Sequence, residues 1–108
     1  MEMDSLKRVF CMKLKDGCKE EYEKRHREIW PEITKLLLDT GVVDYSIYFH
    51  EESNLLFAVQ QRDRPPVDLS GNEVMQRWWQ HMGDLMEVNP NTSPLCMPLE
   101  EIFHLQKP

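Results

Sequence analysis

The sequence predicts an α+β domain, with one four-stranded antiparallel sheet and two amphipathic helices on one of its faces. Three observations carry this. Short runs with a period of two alternate with two longer stretches of helical period. Their order along the chain is strand, helix, strand, strand, helix, strand. The apolar residues of the first three strands fall on both sides of the sheet, so the face opposite the helices also asks for cover.

Residues 7 to 14 read as the first strand, with Phe10, Met12 and Leu14 on one face and Val9 and Cys11 on the other; Asp16-Gly17 ends it. A helix is expected from about Cys18 to Thr40, with Gly41 as the residue that turns the chain out of it. Pro31 falls inside this stretch and has no N–H, so a kink or a break is expected there. Val42 to Phe49 is the second strand, His50 to Asn54 the turn, and Leu55 to Gln61 the third strand. A loop over 62–72 leads to a second helix from about Glu73 to Met86, with Met75, Trp78, Trp79, Met82 and Leu85 on one broad apolar face. Asn89 to Pro94 is a structured loop, and a last strand is expected at about Glu100 to Leu105.

This order is the ferredoxin-like βαββαβ plan. Right-handed crossovers place both helices on the same face of the sheet. Two such sheets packed through their open faces would make a dimeric α/β barrel, so a homodimer is expected.

At 108 residues the chain is a single domain spanning 1–108, with the 41% hydrophobic and 30% charged content of an ordinary globular protein. Its net charge of −6 argues against a nucleic-acid or anionic-membrane partner, because both reward a basic face. No apolar run is long enough to span a bilayer, and the polar start Met-Glu-Met-Asp-Ser has no signal-peptide core. Cys11, Cys18 and Cys96 are odd in number and lack C-x-x-C spacing, so neither a disulfide framework nor a zinc site is expected, and a cytoplasmic location fits. The histidines His26, His50, His81 and His104 have no ligand spacing between them, which leaves no expected metal. The four glycines are scattered singly, so no phosphate loop and no nucleotide cofactor is expected.

The segment Tyr22-Glu-Lys-Arg-His26-Arg-Glu-Ile-Trp30-Pro31 is where chemistry concentrates. Tyr22, His26 and Trp30 recur every four residues and share a helical face with Ile29 and Ile33. An imidazole titrates near neutrality and can give and take protons there. Periodicity alone leaves two readings open: a buried neutral histidine bonded to a backbone carbonyl or to Tyr45, or a reactive group in a cavity. Trp78 and Trp79 point about 100° apart on a helix, so one enters the core while the other seals a rim or lines a cavity suited to a sugar face. Tyr22 and Tyr45 offer hydroxyls beside apolar surface.

The segments Glu21-Tyr22 through Arg25-His26, Ile29-Trp-Pro-Glu32, Tyr45-Ser-Ile-Tyr48, Asn54-Leu-Leu-Phe-Ala58, Gln76-Arg-Trp-Trp79, Met82, Asn89-Pro90 through Ser93-Pro94, and Glu101-Ile-Phe103 together resemble the L-rhamnose mutarotases. The likeness covers essentially the whole chain. It implies an isomerase that interconverts the α and β anomers of L-rhamnose for rhamnose catabolism, with no cofactor and no metal. It also implies that His26 is the acid/base residue and that Tyr22, Tyr45, Trp78 and Trp79 bind the sugar. Two departures are visible: Glu28 stands where a proline is frequent, and His104 where a tyrosine is expected, a position that could touch the barrel interior. Small dimeric α+β barrels also host haem-degrading and cofactor-free monooxygenases as well as ligand-binding regulatory modules, and fold alone does not separate these from a mutarotase.

Overall fold

The computed structural model describes residues 6–108. The strands are β1 (Leu6–Lys13), β2 (Val42–His50), β3 (Leu55–Arg62) and β4 (Met97–Pro98), and the helices are α1 (Lys19–Arg27), α2 (Pro31–Asp39) and α3 (Glu73–Met82). The sheet order is β2-β3-β1-β4 and every neighbouring pair is antiparallel, as the ferredoxin-like plan requires.

The long first helix is two helices. Proline clashes with helical backbone in the residue before it, so Trp30 is extended at φ −66°, ψ 135° and caps a new helix that has Pro31 in its first turn. There the missing N–H costs nothing, because that position has no partner inside the helix anyway. Trp30 O accepts from the amides of Ile33 and Thr34 at 2.9 and 3.2 Å and starts the second helix. Gly41 then leaves α2 at φ +115°, and a Cβ there would come within 2.7 Å of Arg64 Cγ.

Helix α3 begins at Asn72, whose Oδ1 accepts from the Met75 amide at 3.0 Å. It ends at Met82 rather than at Met86, and Gly83–Leu85 continues as one 3₁₀ turn. Glycine is the weakest helix former after proline, so Gly83 is where the α-helix gives way.

The last strand differs most from expectation. Its pairing is confined to Met97–Pro98 opposite Cys11 and Phe10, with one further bond from the Leu99 amide to Val9 O at 2.9 Å. Residues 100–105 form no strand within the chain. Continuing the register would set Ile102 against Leu6, so Phe103 to Leu105 would run past the described end of β1.

Register separates the two faces of the sheet. Phe10 faces Ala58 and Met12 faces Leu56 across β1 and β3, while Ile47, Phe49 and Tyr45 of β2 meet Ala58, Leu56 and Gln60. This face meets the helices, through Tyr22, Ile33, Met75, Trp78 and Met82, in one core. Each side chain of Leu or Phe size buried there contributes ~1.5–3 kcal/mol. One residue along, Val9 pairs with Val59, and Phe57 with both Cys11 and Tyr48, on the opposite face. None of these joins the core under the helices.

Candidate active site

A cavity of about 910 Å³ lies between the sheet and the helices, and all five residues singled out for the sugar, Tyr22, His26, Tyr45, Trp78 and Trp79, line it. α1 ends at Arg27, one residue after His26, so His26 sits in its last turn, before the break at Pro31.

The His26 ring donates from Nδ1 to the Tyr22 carbonyl oxygen at 3.1 Å, since a carbonyl can only accept. Nε2 is thereby the free ring nitrogen of a side chain that lines the cavity. Burial pushes the imidazole pKa below its ordinary value, partly opposed by the Tyr22 carbonyl. His26 is therefore neutral at pH 7, with its lone pair on Nε2. The histidine is bonded to a backbone carbonyl and also lines a cavity.

Aromatic rings fix the imidazole in place. The Tyr22 ring lies 4.3 Å away centroid to centroid, and Trp78 meets the imidazole edge-on at 5.6 Å. Trp30 stands edge-on to Trp78 at 5.1 Å and stacks near His81 at 5.3 Å, so it braces the wall from behind. Arg25 ties the same turn to the end of α3. Its Nε donates to Glu21 Oε2 at 2.8 Å, and its Nη1 donates to His81 O at 2.6 Å and Asp84 Oδ1 at 2.9 Å. The helix carrying His26 and the helix carrying Trp78 are thus pinned together beside the site.

The two tryptophans divide as expected. Trp78 is 7% exposed and belongs to the core, whereas Trp79 is half-buried and reaches the cavity from its rim. Burial raises the Tyr22 hydroxyl pKa far above its usual range, with the Tyr45 phenol as the next cause. Tyr45 is also raised by burial, while a hydrogen bond from the Gln60 side chain pulls it back. Both phenols therefore stay protonated and can donate to sugar hydroxyls.

Several lining residues were missed from the sequence. Gln60 is 3% exposed and faces inward from β3, and Arg8, Met12 and Cys96 also reach the cavity. Gln60 had a readable signal. It shares strand parity with Leu56 and Ala58, so a polar residue there must point at something polar. Its Oε1 accepts from Arg62 Nη1 at 2.9 Å. Thr92 and Ser93 come from the Asn89–Pro94 loop, which closes through Asn89 N to Ser93 O at 2.8 Å.

His50 is exposed and bonds Ser53 at 2.7 Å, and His104 is exposed in the single chain. Glu28 is exposed just after α1. Among the described residues no group of three or more His, Cys, Asp or Glu side chains could hold a metal, and no helix is long and apolar enough to cross a membrane. Cys11, Cys18 and Cys96 are free thiols.

The family model described as L-rhamnose mutarotase matches residues 7–105. The chain belongs to the L-rhamnose mutarotase family. Among its relatives, the L-rhamnose mutarotases of Phocaeicola vulgatus and Bacteroides thetaiotaomicron are each 50% identical over 99 residues, covering 90% of this chain and 95% of theirs. The crystal structure of L-rhamnose mutarotase from Formosa agariphila superposes with a TM-score of 0.86 at 46% identity, covering 94% of this chain and all of that one. Membership makes the chain an isomerase-class enzyme acting on carbohydrate anomers.

Proposed function

We propose that this chain is an L-rhamnose mutarotase in which His26 moves the proton that opens and closes the sugar ring. The observation that carries the reading is the imidazole itself: it is held by the Tyr22 carbonyl and walled by Tyr22 and Trp78, and its free Nε2 belongs to a cavity-lining side chain.

The sequence suggested His26 as proton donor to the ring oxygen. Its resting tautomer carries no proton at Nε2, so it takes one first. Nε2 accepts the proton of the anomeric hydroxyl, and the imidazolium then delivers it to the ring oxygen as the C1–O5 bond breaks and C1=O1 forms. O1 and O5 are both bonded to C1, within reach of one nitrogen. The aldehyde turns about C1–C2, O5 closes on its other face, and the proton retraces its path. Depressing the imidazole pKa makes the imidazolium a stronger acid for the second half. Tyr22 and Tyr45 donate to sugar hydroxyls, and Trp78 and Trp79 lie against the C–H-rich face of the ring. The apolar floor of Phe10, Met12 and Ile47 suits a C6 methyl that has no hydrogen-bond demand.

The working form is a homodimer in which two sheets pack through the faces bearing Val9, Phe57 and Val59 to make an α/β barrel. Gln61 supports this: it lies on that face, and its Oε1 is buried with no hydrogen-bond partner among the described residues. No cofactor takes part, the sugar is the only small-molecule partner, and the setting is the cytoplasm.

NMR exchange spectroscopy on L-rhamnose at anomeric equilibrium tests the activity. Wild type should raise the exchange rate well above buffer, and His26→Ala should lower the enzyme's contribution by roughly 10²- to 10⁴-fold with the fold intact. Sugar binding without faster exchange would make this a binding module instead. Equal exchange by both proteins would keep the activity but take the role from His26.

A further inference from the structure

Two polar side chains stand where β3 should stay apolar. Gln60 and Arg62 follow Leu56 and Ala58 on the helix-facing side of the strand, and they are only 3% and 4% exposed. Burying a carboxamide and a guanidinium is costly unless both are bonded. Arg62 is bonded three times: Nη2 donates to Thr40 O at 2.6 Å, Nε to Arg64 O at 3.1 Å and Nη1 to Gln60 Oε1 at 2.9 Å. All three acceptors are neutral, and burial pushes the guanidinium pKa below its ordinary value.

The third of these bonds sets the direction of the amide. A guanidinium can only donate, so it takes the oxygen of Gln60 and leaves the NH2 group for another partner. Tyr45 is the cross-strand neighbour of Gln60 on β2, so the two side chains rise together from one face of the sheet, and both line the cavity. The Gln60 side chain lowers the Tyr45 phenol pKa against the effect of burial, as a donor to the phenol oxygen does. A phenol oxygen that accepts from Gln60 keeps its own hydrogen for a partner on the cavity side.

A glutamate at position 60 would suit Arg62 better. It is nearly the same size, it would give the buried cation a counter-charge, and charge-assisted bonds are the stronger ones. A carboxylate has no hydrogen to give Tyr45, however, and would draw the phenol hydrogen to itself. What glutamine adds at this position is the donor.

We propose that Gln60 is a positioning residue for the substrate: anchored by Arg62, its amide donates to Tyr45 Oη and aims the phenol hydrogen at a hydroxyl oxygen of the bound sugar. This rests on the sugar-binding role given to Tyr45 above. Arg62 holds the amide, the amide holds the phenol, and the phenol holds the sugar.

Gln60→Glu separates this role from a structural one. In denaturant unfolding the variant should be at least as stable as wild type, because Arg62 gains a counter-ion. In rhamnose anomer exchange followed by NMR, its KM should rise about tenfold while kcat falls less. Gln60→Met has neither donor nor buried charge and should raise KM likewise, so it carries the same test if the carboxylate upsets the strand. In a Tyr45→Phe background the phenol is gone, and either change at position 60 should add little to the KM of Tyr45→Phe alone. Unchanged KM in the position-60 variants, or the same rise with and without the Tyr45 hydroxyl, would overturn the proposal. Wild type that gives no exchange above buffer removes the mutarotase reading and this proposal together. An active wild type beside unimpaired position-60 variants removes only the role of Gln60.

Discussion

The two faces of this one sheet are made by the same strands and differ by a single step along the chain. Leu56 and Ala58 point under the helices and are buried to 2% and 0% exposure, beside the residues that build the cavity. Phe57 and Val59, between and after them, point the other way and stay half-buried with no helix over them. The helix side has a completed core, with a cavity where aromatic rings replace aliphatic ones. The other side is apolar but unfinished. The difference teaches that the cavity face and the uncovered apolar face are separated by strand parity alone, so a one-residue register slip would exchange the two surfaces.

Adjacent substitutions break the comparison most sharply. Leu56→Ala removes a buried side chain from the closed face and should cost ~2–5 kcal/mol of stability, read from denaturant unfolding. Phe57→Asp, one position on, should leave the protomer's secondary structure by circular dichroism unchanged and shift its mass by light scattering to that of a monomer. If Phe57→Asp unfolds the protein while Leu56→Ala is tolerated, the assignment of the faces is reversed.

Smaller effects sharpen the site itself. Trp79→Ala opens the cavity rim and should weaken rhamnose binding by about tenfold, or ~1.4 kcal/mol, with little change in unfolding. Unchanged affinity with lower stability would make Trp79 a packing residue only. The pH profile gives the mildest change. In the proposed mechanism the neutral imidazole starts the reaction, and burial depresses its pKa, so kcat/KM should be level from pH 8 to about 6.5. It should fall as the pH drops through the lowered value. A rate that rises on acidification would show that His26 must enter the cycle already protonated.

Much of this was legible in the residues because it depends on local periodicity. The faces of β1, β2 and β3, the two-tryptophan division of labour and the aromatic column around His26 all follow from spacings of two or four. The break before α2 was legible as an interruption at Pro31, but not as a new helix, because whether a proline kinks or starts a helix depends on what the residue before it packs against. Here Trp30 is held against Trp78 and His81. The last strand misled for a related reason. Residues 100–105 have strand character, but a strand also needs a paired edge, and the ladder with β1 is confined to Met97 and Pro98.

The sequence by itself determined the first three strands, the apolar pattern of both sheet faces and five of the residues that line the cavity, since these are properties of short segments. Only the tertiary structure decided which nitrogen of His26 is free, that Gln60 and the Asn89–Pro94 loop share its cavity, and that Arg25 fastens α1 to α3. Each of these is set by contacts between segments distant in the chain, or by a hydrogen-bond direction that no spacing encodes.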